Sequence, residues 1–381
     1  MRRALALLLL LSPVDTRAQA AAGWDMGTAT QLLAAFDHAA THGLPPERYG
    51  RAALADALAR GEAVAVGALA ELGFNRLAGD LIAGAAPEAA RRAWHLPRPE
   101  VRASAVAAAR AQALATGNVA ASLDRLAPQH PDYAALRLAL AAQPARPGRS
   151  RDAILASLER WRWMPRELGD RHLWVNVPAF EARLVDHGTP VAVHRVVVGK
   201  RSTPTPQFSA LVAGVILNPE WIVPASIQAE GLARQLANNP RAMAAKGYYR
   251  TPTGITQSPG PHNQLGQMKL RMPNPFSVYL HDTPAKALFN RPERAFSHGC
   301  IRTYDPFGLA QQLLADTPGW DRAAIDAAVR AGKTVDVPLA RPIPVHIVYF
   351  TAEADAAGGV RVHPDIYGRD APVLAALRPA G

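Results

Sequence analysis

One cysteine in 381 residues rules out an internal disulfide. Cys300 is then a small buried hydrophobe, half of an intermolecular bridge or a reactive thiol, and composition alone favours the first. No apolar stretch is long enough to span a bilayer. The N-terminal run at residues 4–11 falls well short of the roughly 20 residues that a membrane-crossing helix needs, so no integral membrane segment is expected. There is no Arg/Lys block with interleaved aromatics, and the basic residues are scattered, which argues against a nucleic-acid partner despite a formal charge of +11. Charged residues are sparse at 19% against 49% hydrophobic, so the chain should fold into domains with real cores rather than remain disordered. No phosphate-binding glycine loop occurs. His38 and His42 lie four apart on one expected helix, but without a Glu-x-x-His context or a third ligand they read as a solvent-facing pair and not a metal site.

What is present begins with an export leader at residues 1–20. Arg2 and Arg3 form a basic start, the short apolar run follows, and Ala18-Gln19-Ala20 resembles a cleavage site. Its removal takes away three arginines and one aspartate, leaving a charge of +9. The expected location is the periplasm.

Alanine dominates the first half and favours helix. Leu32, Leu33, Phe36, Ala39 and Ala40 recur at helical spacing, then Gly43 and a Pro-Pro pair end the run. A helical domain is expected over 21–140. Residues 141–165 follow as a Pro/Gly/Arg-rich linker with a connecting helix. From His172 the period becomes strand-like, and many short strands suggest a β-sandwich or small barrel over 166–355. Asp305 and Pro306 predict a helix start. Residues 226–251 interrupt the strands with helical character and are a candidate lid. Residues 356–381 form a C-terminal extension. The fold class is α+β.

The segment "VYLHDTPAKALFNRPERAFSHGCIR" carries the chemistry. A thiol attacks well only as thiolate and needs a base nearby. His281 and His298 bracket Cys300, and Gly299 lets backbone N–H groups approach a substrate carbonyl. His281, Ser297, His298, Gly299, Cys300, Ile301 and Arg302 together resemble the motif of the L,D-transpeptidase family, whose catalytic domain is of the YkuD type. "LERWRWMPRELGDRHLWVNVPAF", "LNPEWIVPASI", "GPHNQLGQMKLRMPN" and the closing "DIYGRD" are similar to the family's large periplasmic branch, and "HGLPPERY" and "LAPQHPDYAAL" resemble its helical scaffold domain. The small peptidoglycan-binding domain often found before "ERWRW" has no counterpart, and the lid is shorter than in long-lid members.

The resemblance implies an enzyme that joins peptidoglycan stem peptides, donor to acceptor, between diaminopimelate residues. Cys300 would be the nucleophile and His281 the base. His298 would polarise the thiolate, and the backbone at Gly299 and Cys300 would hold the oxyanion. Arg302 would pair with a substrate carboxylate, Tyr279 would line the pocket, and Ser297 would stabilise the loop or touch substrate. Thioester chemistry implies no cofactor. Carbapenem-type β-lactams are expected covalent inhibitors. A hydrolase using the same thioester, or a non-catalytic wall-binding protein, are the alternatives.

Overall fold

The computed structural model describes residues 23–144, 146, 148–355 and 359–378. The leader read at residues 1–20 lies outside them. The chain forms two compact units. One holds the described residues up to Ala85 with Pro99–Ala142 and the described residues from Leu377 on, and the other holds Ala86–Arg98 with Gln143–Ala376.

The first unit is helical: α1 (Met26–His38), α2 (Arg51–Arg60), α3 (Ala63–Ala83), α4 (Ala103–Thr116), α5 (Val119–Asp124) and α6 (Pro131–Ala142). The carboxylate of Asp25 accepts Thr28 N–H while the Thr28 side chain returns to the Asp25 backbone, a capping box that fixes the start of α1. Leu32 and Phe36 of α1 are fully buried. Gly73 of α3 lies so close that a Cβ there would sit 2.4 Å from the Phe36 ring and 2.6 Å from the Tyr49 carbonyl, so the contact requires glycine.

The expectation of a solvent-facing histidine pair is corrected here. After α1 the chain tightens into a 3₁₀ turn over Ala39–His42, which turns His42 inward. His42 is buried and its Nε2 lies 2.9 Å from Asp124, while Nδ1 meets the Tyr133 hydroxyl at 2.8 Å.

The second unit opens with α7 (Arg149–Trp163). Glu159, Arg160, Trp161, Arg162 and Trp163 are all buried, so the last turns of α7 have no water-facing side. The Glu159 carboxylate accepts from Arg162 Nη2 at 2.5 Å, Trp163 Nε1 at 3.0 Å and Ala86 N at 2.7 Å, so this buried charge is fully paired.

Among the described residues fourteen strands follow: β1 (Arg171–Asn176), β2 (Glu181–Asp186), β3 (Thr189–Gly199), β4 (Phe208–Leu217), β5 (Trp221–Ile222), β6 (Tyr248–Thr251), β7 (Gly254–Gln257), β8 (Met268–Arg271), β9 (Leu280–His281), β10 (Ala295–Ser297), β11 (Ile301–Thr303), β12 (Val335–Val348), β13 (Ala352–Ala354) and β14 (Val360–Val362). The main sheet has nine strands in the order β10-β3-β11-β9-β8-β4-β12-β1-β2. The long β3 pairs with β2 over residues 189–195 and with β11 over residues 196–197, so the sheet closes on itself. Closure removes the exposed edges that an open sheet presents. Its interior holds Leu173, Val175, Val196, Val198, Val215, Leu270, Leu280 and Ile301. Helices α8 (Pro306–Leu313) and α9 (Arg322–Ala331) add Leu309, Leu313 and Ile325 to this core. Asp305 caps α8, accepting Gly308 N–H at 2.9 Å. The last element among the described residues is α10 (Asp370–Leu377).

The interruption of the strands is larger than residues 226–251 and only partly helical. Short helical turns over Ala225–Ile227, Gln228–Leu232, Ala233–Asn238 and Pro240–Ala245 are framed by a three-stranded sheet in the order β5-β7-β6. This segment has its own core of Val223, Leu236, Met243, Tyr248 and Ile255. The aromatic and β-branched residues at 248–251 form a strand, as their propensity favours. Among the described residues no helix is long and apolar enough to cross a membrane.

Candidate active site

Three neighbouring strands and one loop bring the sequence candidates together. β11 runs parallel to β9, placing Ile301 beside Leu280 and Arg302 beside His281. β8 runs antiparallel on the other side of β9 and sets Lys269 opposite His281. Cys300 immediately precedes β11, in the loop that leaves β10. Gly299 adopts φ +115°, a conformation that other residues rarely reach, and this bends the chain sharply before the thiol.

Ser297 organises that loop. Its hydroxyl donates to the Cys300 carbonyl at 2.5 Å and accepts Gly299 N–H at 3.1 Å. Gly299 N–H is therefore engaged within the loop. Among the described residues no acceptor takes Cys300 N–H. The thiol donates to the Ser277 carbonyl at 3.9 Å.

His281 is buried. Its Nδ1 faces the Asp282 carbonyl in a short hydrogen bond, which makes Nδ1 the protonated nitrogen and leaves the lone pair on Nε2. Burial, with help from the Arg302 and Lys269 charges and against the pull of the Asp282 and Leu265 carbonyls, lowers its pKa to about 3. The ring is neutral at physiological pH. Burial raises the Cys300 thiol above its ordinary value, while the Tyr279 backbone N–H, Arg302 and Lys269 act to lower it. Burial also lowers Lys269 and Arg302, and the negative form of Cys300 acts in the opposite sense on both. At rest the thiol and the imidazole are thus both neutral, and the charges of Lys269 and Arg302 act on each of them.

The remaining candidates separate. Tyr279 serves by its backbone: its carbonyl accepts Ile301 N–H at 2.8 Å, while Lys269 Nζ lies 3.7 Å over its ring. His298 turns toward the strand insertion, with Nε2 2.9 Å from Glu230 and 3.5 Å from Lys200 Nζ. Arg302 is half-buried and its Nε has no hydrogen-bond partner among the described residues. Asn218 is structural: its side-chain amide donates to the carbonyls of Ala328, Val329 and Lys333 around the end of α9. His194 bonds Gln312 at 2.9 Å.

Sequence reasoning missed Lys269, and the signal was present. The strand-like "GQMKLRM" alternates buried and half-buried positions, and its only lysine falls on the half-buried set. Gly266 also has a definite task. At φ +61° a Cβ would fall 2.2 Å from the Asp282 carboxylate, which accepts Gln267 N–H at 2.8 Å and pairs with Lys286 at 2.7 Å. That glycine lets the β8 approach close over the residue after His281.

The helical unit contains one group of possible metal ligands among the described residues. His38, His42 and Asp124 place their ligand atoms within 4.8 Å of one another, so the third ligand that the sequence did not reveal is Asp124. Arg137 Nη2 lies 3.0 Å from His38 Nε2 and 3.6 Å from Asp124. Its guanidinium places a positive charge beside the Asp124 carboxylate.

Residues 170–336 match the L,D-transpeptidase catalytic domain family (YkuD), and residues 21–140 match the Scaffold domain. The chain thus carries an L,D-transpeptidase catalytic domain, preceded in sequence by a scaffold domain. A candidate L,D-transpeptidase of Haemophilus influenzae is 30% identical over 219 residues, covering 52% of this chain. The chain spans 44% of that relative's length. Among solved structures, the catalytic domain of the E. faecium L,D-transpeptidase acylated by ertapenem aligns at 14% identity over 48% of this chain and 99% of its own, with a TM-score of 0.24. L,D-transpeptidase 3 from Mycobacterium tuberculosis in complex with a faropenem-derived adduct aligns at 15% identity over 47% of this chain and 60% of its own, with a TM-score of 0.24. Both are too distant to assign roles to individual residues.

Proposed function

We propose that this protein is a periplasmic cysteine acyltransferase that cross-links peptidoglycan stem peptides between diaminopimelate residues, with Cys300 as nucleophile and His281 as general base. One observation carries the reading. The lone thiol of the chain stands next to a strand that carries a buried, neutral imidazole, and two cations flank both groups.

The chemistry follows from these states. As Cys300 Sγ turns from Ser277 and attacks the carbonyl of a donor stem, its proton passes to His281 Nε2. Lys269 and Arg302 stabilise the negative sulfur during the transfer, and Cys300 N–H receives the developing oxyanion. The tetrahedral intermediate collapses with cleavage of the amide C–N bond, and the imidazolium protonates the departing terminal D-amino acid. An acceptor amine attacks the thioester, forms the new amide and gives its proton to His281, and the thiol is restored. Arg302 also suits a stem-peptide carboxylate. Carbapenem-type β-lactams should acylate the same sulfur. The strand insertion reaches the loop through Glu230 and His298 and acts as a lid.

Mass spectrometry of purified peptidoglycan fragments incubated with the protein tests this. Cross-linked stem dimers that vanish with Cys300→Ala are expected. Release of a D-amino acid without dimers would make the protein a hydrolase, and unchanged fragments would make it a wall-binding protein.

A further inference from the structure

The C-terminal "DIYGRD" segment lies about seventy residues past the nucleophile in sequence, yet it reaches the loop beneath it. Tyr367 OH donates to the Gly199 carbonyl at 2.5 Å and accepts Thr205 N–H at 3.2 Å. Thr205 is fully buried. Its hydroxyl accepts Gly199 N–H at 2.9 Å and donates to the Gly299 carbonyl at 2.8 Å. Tyr367 is itself anchored. Its N–H donates to Tyr349 OH at 2.8 Å, and Tyr349 OH donates to Asp365 at 2.6 Å. Gly199 is crowded by the same turn: a Cβ there would fall 2.3 Å from the Thr203 carbonyl and 2.7 Å from Thr205 N. The brace therefore has little slack at this point.

The Gly299 carbonyl belongs to the peptide unit that bears Cys300 N–H. In a planar trans peptide the C=O and N–H point in opposite directions, so fixing one fixes the other. Thr205 holds the carbonyl from one side, and the Cys300 N–H, for which no acceptor is found among the described residues, faces the opposite side. Gly299, with no Cβ and a positive φ, would otherwise allow this peptide to rotate.

We propose that Thr205, held by Tyr367, is a positioning residue that aims Cys300 N–H at the oxyanion formed during acyl transfer. This rests on the acyl-transfer reading above. It assigns the C-terminal segment a part in the chemistry without any contact with substrate.

Two reactions of Cys300 separate this role from general structural support. Acylation by a carbapenem passes through an oxyanion, whereas alkylation by iodoacetamide is a direct displacement at carbon and forms none. Thr205→Val keeps the shape and removes the hydroxyl. Its acylation rate should fall roughly 10²-fold, the order expected when a preorganised donor is lost or displaced. Its alkylation rate should stay within about twofold of wild type. Thr205→Ser restores the hydroxyl and should recover most of the acylation rate. Tyr367→Phe acts one bond further away and should slow acylation about tenfold. If Thr205→Val does not fold, Tyr367→Phe decides by the same comparison. Acylation at the wild-type rate in the folded variants, or an equal fall in acylation and alkylation, overturns the proposal. A wild-type protein that is alkylated but never acylated is a different result: it overturns the functional reading, and the role of the brace with it.

Discussion

At the residue scale burial favours the neutral form of both the proposed nucleophile and the proposed base. The His281 pKa is lowered to about 3 and the thiol is raised, so little thiolate exists at neutral pH without substrate. The reactivity of Cys300 toward iodoacetamide should therefore climb through pH 9 and beyond rather than level off near pH 6, as it would for a preformed thiolate–imidazolium pair. Lys269 acts to lower the thiol. Removing that cation in Lys269→Met should move the alkylation profile to higher pH and slow the reaction several-fold at pH 8, with the profile of Arg302→Met moving the same way. A Lys269→Met profile that overlays wild type would show that the ammonium does not act on the sulfur.

At the element scale the insertion between β5 and β7 is a small folded body with its own apolar core, and Glu230 extends from it to His298 in the nucleophile loop. An acyl-thioester that waits for an amine is protected when water is excluded. Joining Val223 to Ile255 through an Asn-Gly turn keeps β5 paired with β7 and removes the rest. The ratio of hydrolysis to cross-linking, read by mass spectrometry, should rise, with Cys300 acylation less affected. An unchanged ratio in a folded, active variant would show that the insertion is not a lid.

Legibility in the sequence follows from the range of the interactions. Asp305 capping α8, the Gly43 stop and the helical spacing around Phe36 act within a few residues and could be read directly. The β-rich character of the second half was visible in its alternation, and the motif around Cys300 marked the candidate site. The inward turn of His42 depended on partners about eighty to ninety residues away, Asp124 and Tyr133. Thr205 and Tyr367 lie 162 residues apart and carry no local pattern that links them. The strand at Tyr248–Thr251 follows directly on helical turns and is too short to show an alternation of its own.

At the scale of the whole molecule, buried ionisable groups in the second unit set its tolerance of acid. Burial, against the pull of the Leu168 carbonyl and with help from His172, lowers His346 from 6.5 to about 4. It stays neutral in the fold while the unfolded chain takes up a proton below pH 6.5. Its contribution is complete above that pH and is lost as pH falls from 6.5 toward 4. Burial would raise Glu353, but the His363 hydrogen bond and the Arg183 charge outweigh it and bring the carboxyl from 4.5 to about 2. That contribution is complete above pH 4.5 and is lost as pH falls toward 2. Each shift corresponds to at most about 3–4 kcal/mol. Urea unfolding between pH 8 and 3 should show a plateau, a first decline below pH 6.5 and a second below pH 4.5. His346→Gln should make the first decline shallower. A stability that is flat from pH 8 to 4 would contradict this assignment.

The closed sheet also sets the order in which the chain can fold. β12 sits between β1 and β4, and it pairs in parallel with β1 across more than 160 residues of sequence. Until residue 348 is available, the strands made first have no neighbour to complete the ring, and the hairpin of β2 and β3 is among the few pairings that can form early. Contacts this remote make folding slow, because a long loop must be closed before the pairing stabilises anything. A chain emerging from its N-terminus thus spends a long interval with β1 and β4 unpaired along those edges and open to other chains. Its lone cysteine has a second consequence in that interval: no wrong internal disulfide can form while the chain waits for its C-terminal third.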